Sequence, residues 1–206
     1  MITLHTWATP NGRKVSIALE ELGLPYELRT VDIGREQQFA PEFLALNSNN
    51  KIPVLEDTDG PGGQHMVLSE SGAILIYLAE KTGRLLPRDP LARLKALQWL
   101  MFQMGGVGPI FGQTHHFRRY APEQTYGLER YTKETHRLYR VLDGRLAQVT
   151  YLAGDEYSIA DIATFPWIAR FELHALQWEQ VPHVKRWFDK VAERAAVRRG
   201  LAIPKV

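Results

Sequence analysis

The stretch His5–Gly23, HTWATPNGRKVSIALEELG, decides how the chain begins. Ile2–Trp7 reads as a short strand that stops at Thr9-Pro10-Asn11-Gly12, where a helical pattern starts at once. Val15, Ala18, Leu19 and Leu22 recur at i, i+3, i+4 and i+7, the spacing of one helix face. Gly23 suits the left-handed residue that closes a helix, and Pro25 prevents continuation. Working outward, Tyr26–Ile33 reads as a second strand and Phe39–Leu46 as a short helix. Ile52–Glu56 and Met66–Leu68 are two more apolar runs, separated by Asp57-Thr58-Asp59-Gly60-Pro61-Gly62-Gly63, a strong turn signal. Ile74, Tyr77, Leu78 and Lys81 then follow a helical period that Gly83 ends. The order is βαβαββα.

The second part has a different grammar. Residues 83–90, in TGRLLPRDP, read as a linker between an α/β domain at 1–82 and an all-helical domain at 91–206. Leu94, Leu97, Met101 and Met104 form one stripe, and Gly105-Gly106-Val107-Gly108-Pro109 should break or kink that helix. Leu128, Tyr131, Leu138, Tyr139, Leu142, Leu146 and Val149 mark a long helix. Ser158-Ile159-Ala160-Asp161 has the form of a capping box opening another, which Pro166 should kink. Val184, Trp187, Phe188 and Val191 mark the last one. Trp99, Phe102, Trp167 and Trp187 are most simply core or interface residues.

Composition narrows the function. Hydrophobic residues make up 45% and charged residues 23%, which suits a globular protein in water. No apolar run approaches the ~18 residues of a membrane span, and no secretory signal is visible, so the cytoplasm is expected. The chain has no cysteine, which excludes disulfides and cysteine-bound metal. Residues 1–85 carry seven Lys and Arg against eleven Asp and Glu, a net of −4, while 86–206 carry eighteen against twelve, a net of +6. The basic run Lys185, Arg186, Lys190, Arg194, Arg198 and Arg199 is interrupted by Asp189 and Glu193 and suits a solvated helix side. No nucleic-acid partner is therefore expected. Adjacent histidines on a helix diverge by roughly 100°, so His115 and His116 are poor joint ligands, and no metal is expected.

Three loops look unlike mere connectors. Thr9-Pro10-Asn11-Gly12 meets a helix N-terminus, where free N–H groups and the dipole favour an anion; read alone, it is also a turn with an Asn N-cap. Asn49-Asn50-Lys51-Ile52-Pro53-Val54 carries a proline into a strand, which fits an edge or a special turn. A cis Pro53 would expose the Ile52 backbone to a passing peptide. Leu68-Ser69-Glu70-Ser71-Gly72 crowds Ser and Glu into a helix start, as a cap or as a site.

Together, TPNGRKV, NNKIP, ESGAILIYLAEKTG, LQWL, GQTHHF, LERYTKETHRLY and YSIADIA resemble the cytosolic glutathione transferase superfamily over essentially the whole chain. The resemblance is closest to its bacterial nu class, the disulfide-bond oxidoreductase type. It implies a thioredoxin-like N-terminal domain followed by a helical-bundle domain. It implies glutathione or glutathione disulfide held across the three loops, a cis Pro53 and a homodimer. Thr9 and Asn11 would face the sulfur as the catalytic pair. Glu70 and Ser71 would take the γ-glutamyl ammonium and carboxylate, and the Ile52 backbone beside Pro53 would pair with the cysteinyl unit. Gln38 and Lys51 would lie near a glycyl carboxylate or a second glutathione, and Arg130 would reach glutathione across the dimer. His115 and His116 would line the substrate cleft. Ala8 and Thr9 stand where better-known transferases carry a catalytic Tyr, Ser or Cys. A thioredoxin-like domain would also place a cysteine near Thr9, so here the thiol must arrive with the ligand. A conjugating transferase and a non-catalytic binding module of the same fold remain open alternatives.

Overall fold

The computed structural model describes residues 1–205. β1 (Ile2–Thr6), α1 (Pro10–Leu22) and β2 (Tyr26–Thr30) form a parallel β-α-β unit. After α2 (Pro41–Leu46), β3 (Val54–Asp57) and β4 (Met66–Ser69) add antiparallel strands, and α3 (Ser71–Thr82) completes the layer. The four-stranded sheet runs β2-β1-β3-β4, a thioredoxin-like order. Ile2, Leu4 and Thr6 alternate inward along β1, as the period of two requires. Leu4, Val15, Leu19, Val54, Leu55, Ile74 and Leu78 are completely buried. Each such side chain contributes about 1.5–3 kcal/mol.

The remaining helices are α4 (Pro90–Phe102), α5 (Gly108–Tyr120), α6 (Thr125–Leu146), α7 (Ile159–Ile168), α8 (Pro182–Ala192) and α9 (Ala195–Leu201). The chain forms two units: residues Met1–Arg84 with the stretch from Arg194 onward, and Leu85–Glu193. The last helix therefore departs from the sequence reading, which placed all of 91–206 in the helical domain and ended its helices at α8. α9 packs on α1: Ser16 Oγ donates to Gly200 O at 2.7 Å, and a Cβ on Gly200 would lie 2.5 Å from Ile17 Cα. Arg194 adds a bidentate pair to Glu21, 2.6 and 2.8 Å.

In the second unit, α6 buries Thr135, Leu138, Tyr139, Leu142 and Leu146 along one stripe. α7 is buried nearly all round, and Ser158 and Asp161 form the expected capping box. The Gly-rich stretch does not break the chain; it passes through a π-helical turn, Gln103–Val107, into α5. The expected α4 stripe is corrected: Leu94 and Met101 are exposed, and Ala96 and Leu100 are buried.

Candidate functional site

Strand register gathers four turns at one end of the sheet. His5 lies opposite Val54, Val54 opposite Ser69, and Thr6 beside Thr30. The exits of β1, β2 and β4 and the entry of β3 therefore share that end. Thr9 and Asn11 follow β1, Gln38 lies beyond β2, Lys51–Pro53 lead into β3, and Glu70–Ser71 follow β4. All of these belong to the first unit.

Thr9, not Asn11, is the N-cap of α1. Its backbone is extended (φ −117°, ψ 160°), and its hydroxyl accepts from Gly12 N–H at 3.1 Å. A hydroxyl that accepts one such bond keeps its own proton as a donor. Pro10 occupies the first helical turn, where its missing N–H costs nothing. Gly12 is required by close packing: a Cβ there would stand 2.3 Å from Thr6 Oγ1 and 2.4 Å from Trp7 O. Asn11 is half-buried in the first turn.

The second loop is braced by Asn47, which the sequence reading missed. Its Nδ2 donates to Lys51 O at 2.8 Å, and its Oδ1 accepts from Asn49 N–H at 3.1 Å. An Asn whose side chain bonds the backbone two residues on is an ordinary turn signal, so LNSNN could have suggested it. The Ile52–Pro53 bond is cis, Lys51 is exposed and Ile52 half-buried. Gln38 is half-buried, and its Oε1 is buried without a hydrogen-bond donor among the described residues.

At the third loop Glu70 is exposed, at φ 68° and ψ 108°, and makes no capping bond to α3. A non-glycine residue there costs of order 1–3 kcal/mol. Ser71 is buried at the first turn of α3, and Lys14 Nζ donates to its Oγ at 3.3 Å. Lys14 entered the sequence reading only as part of the TPNGRKV motif, without a role of its own. It is 1% exposed. Burial pulls its ammonium down to about 7, against the opposing pull of the Glu70 carboxylate.

The helices that start at this end, α1 and α3, carry no acidic residue in their first turns. Their positive dipole ends and N–H groups favour anions. Glu70 adds one acceptor that suits an ammonium. The arrangement can hold an amino-acid zwitterion, with a thiolate beside Thr9 and Asn11.

Arg130 lies in the other unit, exposed on α6. It lines a cleft of about 730 Å³ with Tyr126, Glu129, Lys133, Arg137 and Arg140. That cleft is a charged groove of the second unit and holds none of the loop residues above. His115, on α5, has a buried Nε2 without a hydrogen-bond partner among the described residues, while His116 is exposed. Burial and the nearby Arg170 and Arg119 hold His115 below the usual imidazole range. Among the described residues no three His, Asp or Glu side chains gather as a metal site needs.

Comparison with known proteins identifies the family. The glutathione S-transferase N-terminal domain matches residues 8–81, and the glutathione S-transferase C-terminal domain matches residues 107–195. The chain is 46% identical over 203 residues to the disulfide-bond oxidoreductase YfcG of Escherichia coli (strain K12), covering 98% of this chain and 94% of that protein. A solved glutathione transferase from Burkholderia graminis, with two glutathione molecules bound per subunit, is 48% identical with a TM-score of 0.94. The match covers 99% of this chain and 88% of that one. Another from Pseudomonas putida, with one glutathione disulfide bound per subunit, is 47% identical with a TM-score of 0.93, covering 98% and 91%. The chain belongs to the glutathione S-transferase family.

Proposed function

We propose that the protein is a glutathione-dependent disulfide-bond oxidoreductase in which bound glutathione supplies the reacting thiolate. One observation carries the reading: a cysteine-free chain places Thr9 and Asn11 at a helix N-terminus, at the sheet end from which Ile52 and Glu70–Ser71 also emerge. The names of its relatives agree, since YfcG and the similar YghU of the same organism are both disulfide-bond oxidoreductases.

In this reading Glu70 accepts from the γ-glutamyl ammonium and Ser71 donates to its carboxylate. The Ile52 backbone pairs with the cysteinyl unit, and Pro53 shapes that turn. Gln38 and Lys51 bind carboxylates, including those of a second glutathione. A free thiol near pKa ~8.5 is only ~3% thiolate at pH 7. Lowering it by about two units needs ~2.7 kcal/mol in favour of the anion. One hydrogen bond to a charged group contributes ~1.5–3 kcal/mol, and a helix terminus ~0.3–1. The Thr9 hydroxyl or Asn11 amide with the α1 N-terminus is sufficient.

The first thiolate attacks one sulfur of the substrate disulfide. That S–S bond breaks, and the leaving thiolate takes up a proton. A second glutathione thiolate then attacks the glutathione sulfur of the mixed disulfide, releasing the second substrate thiol and forming glutathione disulfide. Both electrons come from glutathione. The protein positions the sulfurs and stabilises the thiolate.

A C2 homodimer fits this reading, with Arg130 of the partner subunit closing on the bound tripeptide. Leu91, Leu94 and Met101, exposed on one face of α4, are suited to such an interface. The cytoplasm, where thiols stay reduced, is the proposed location.

Purified protein should reduce a small disulfide with a second-order dependence on glutathione at low concentration. Prior iodoacetamide treatment, with the reagent removed, should leave the rate unchanged. Asn11→Ala should lower kcat/KM at least ten-fold. Wild-type kcat/KM in that variant would reduce Asn11 to a helix residue. Conjugation of an aromatic halide without disulfide turnover would favour the conjugating transferase.

A further inference from the structure

Among the described residues Lys14 is the one lysine that the fold buries completely, and it lies behind the loop that the proposed function assigns to the γ-glutamyl group. It projects from α1, one turn inside the helix that starts at Thr9, and its Nζ meets Ser71 Oγ at the head of α3. A lysine is almost never fully buried without a partner. This one joins the two helix starts that face the sheet end. We propose that Lys14 is a positioning residue of the γ-glutamyl subsite: it fixes Ser71 Oγ from behind and takes up a proton from solvent when the ligand carboxylate binds.

The inference rests on the glutathione reading of the site. A hydroxyl that accepts from an ammonium is polarised into a stronger donor, so a charged Lys14 strengthens Ser71 toward an anion. Burial, opposed by the Glu70 carboxylate, leaves the Lys14 ammonium titrating at about 7. A carboxylate arriving at Ser71 favours the charged form and draws the proton on. The other charged groups of the surrounding elements are Arg13, Glu20 and Glu21 on α1, Glu80 and Lys81 on α3, Arg198 and Arg199 on α9 with Arg194 before it, and His5 on β1. Glu70, at the head of α3, is the carboxylate that acts on Lys14. Elsewhere on α3, Lys81 pairs with Asp57. On α9, Arg194 pairs with Glu21 and Arg199 with Glu20. On β1, His5 pairs with Glu56.

The probe is S-methylglutathione, whose blocked sulfur cannot release a proton of its own. Titration calorimetry in two buffers of different ionisation enthalpy reads the protons taken up. At pH 7 the wild type should take up roughly half a proton per ligand, rising toward one near pH 8.5 and vanishing near pH 5.5. Lys14→Met should bind about ten-fold more weakly and take up none. If that variant fails to fold, the pH course of uptake by the wild type decides. Binding without proton uptake, or a folded Lys14→Met that keeps wild-type affinity and uptake, would overturn the role of Lys14 and leave the glutathione site standing. No binding of the probe by the wild type would overturn the glutathione reading, and this inference with it.

Discussion

The starts of α3 and α7 are written in nearly the same letters, LSESGAI and YSIADI, yet they are used in opposite ways. At α7 every polar group turns inward. Ser158 Oγ accepts from Ala160 N–H at 3.3 Å, and Asp161 accepts from Ser158 N–H at 3.0 Å, Leu152 N–H at 2.9 Å and Trp187 Nε1–H at 2.9 Å. At α3, Glu70 stays exposed in a strained conformation and caps nothing. A helix start that satisfies its own groups holds the fold together. One that carries strain and leaves its carboxylate outward is the one for which a ligand role is proposed. Burial makes the difference, and burial is a property of the tertiary structure.

The strongest way to test that contrast is Asp161→Ala. The substitution orphans four buried donors, the Ser158 and Leu152 N–H groups, the Ser158 hydroxyl and the Trp187 indole N–H, each worth about 1–3 kcal/mol when unsatisfied. Urea denaturation should show a loss of about 4 kcal/mol, a large fraction of a domain's stability. A loss below ~1 kcal/mol would mean that the network at α7 is incidental.

A second test uses the titration of the helical unit. His174 is buried, with Nδ1 2.8 Å from the Tyr139 hydroxyl, and its ring packs against Phe111. Burial, reinforced by His115, Arg118, Arg170 and His136, pulls its imidazole down to about 3. The unfolded chain binds that proton near pH 6.5, so it holds more protons than the folded chain between about pH 6.5 and 3. Stability must therefore fall as pH drops through this window. From pH 7 to pH 5 the loss from this group is about 2 kcal/mol. Denaturation midpoints at the two pH values should show it, and His174→Leu should flatten the slope. An unchanged slope would show that His174 charges freely in the fold.

Much of this architecture is legible locally. Strand–turn–helix signals at Thr9–Gly12, Pro53 and Glu70–Ser71 are each short-range, and their order gives the βαβαββα layer. The capping box at Ser158 needs only a four-residue window. What escaped depends on distant partners. α9 follows α8 with no glycine or proline between them; the break falls at Arg194, whose side chain pairs with Glu21 far away in sequence. Lys14 stands in the TPNGRKV motif, but its burial is not legible there, because α1 is covered by α3 and α9 as well as by the sheet. Leu94 and Met101 follow the period of a buried stripe and are nevertheless exposed. Periodicity marks an apolar face without saying what covers it.

The smallest expected effect on stability isolates the strain at α3. Glu70→Gly removes a side chain from a φ of 68°, where glycine is at ease. Relief of about 1–3 kcal/mol is offset by the greater freedom of glycine in the unfolded chain, about 0.5–1 kcal/mol, leaving a net gain of about 1 kcal/mol. The same change deletes the acceptor proposed for the γ-glutamyl ammonium. A hydrogen bond to a charged group is worth ~1.5–3 kcal/mol, so the glutathione KM should rise roughly ten-fold or more. Glu70→Ala separates the two effects, because it keeps the strained backbone and loses only the carboxylate. That variant should share the raised KM without the gain in Tm. A glycine variant that loses stability and keeps its KM would show that the Glu70 conformation serves the fold, and the distinction between the two helix starts would collapse. The opposite result, a more stable protein that binds glutathione poorly, is what a site that holds strain for its ligand requires.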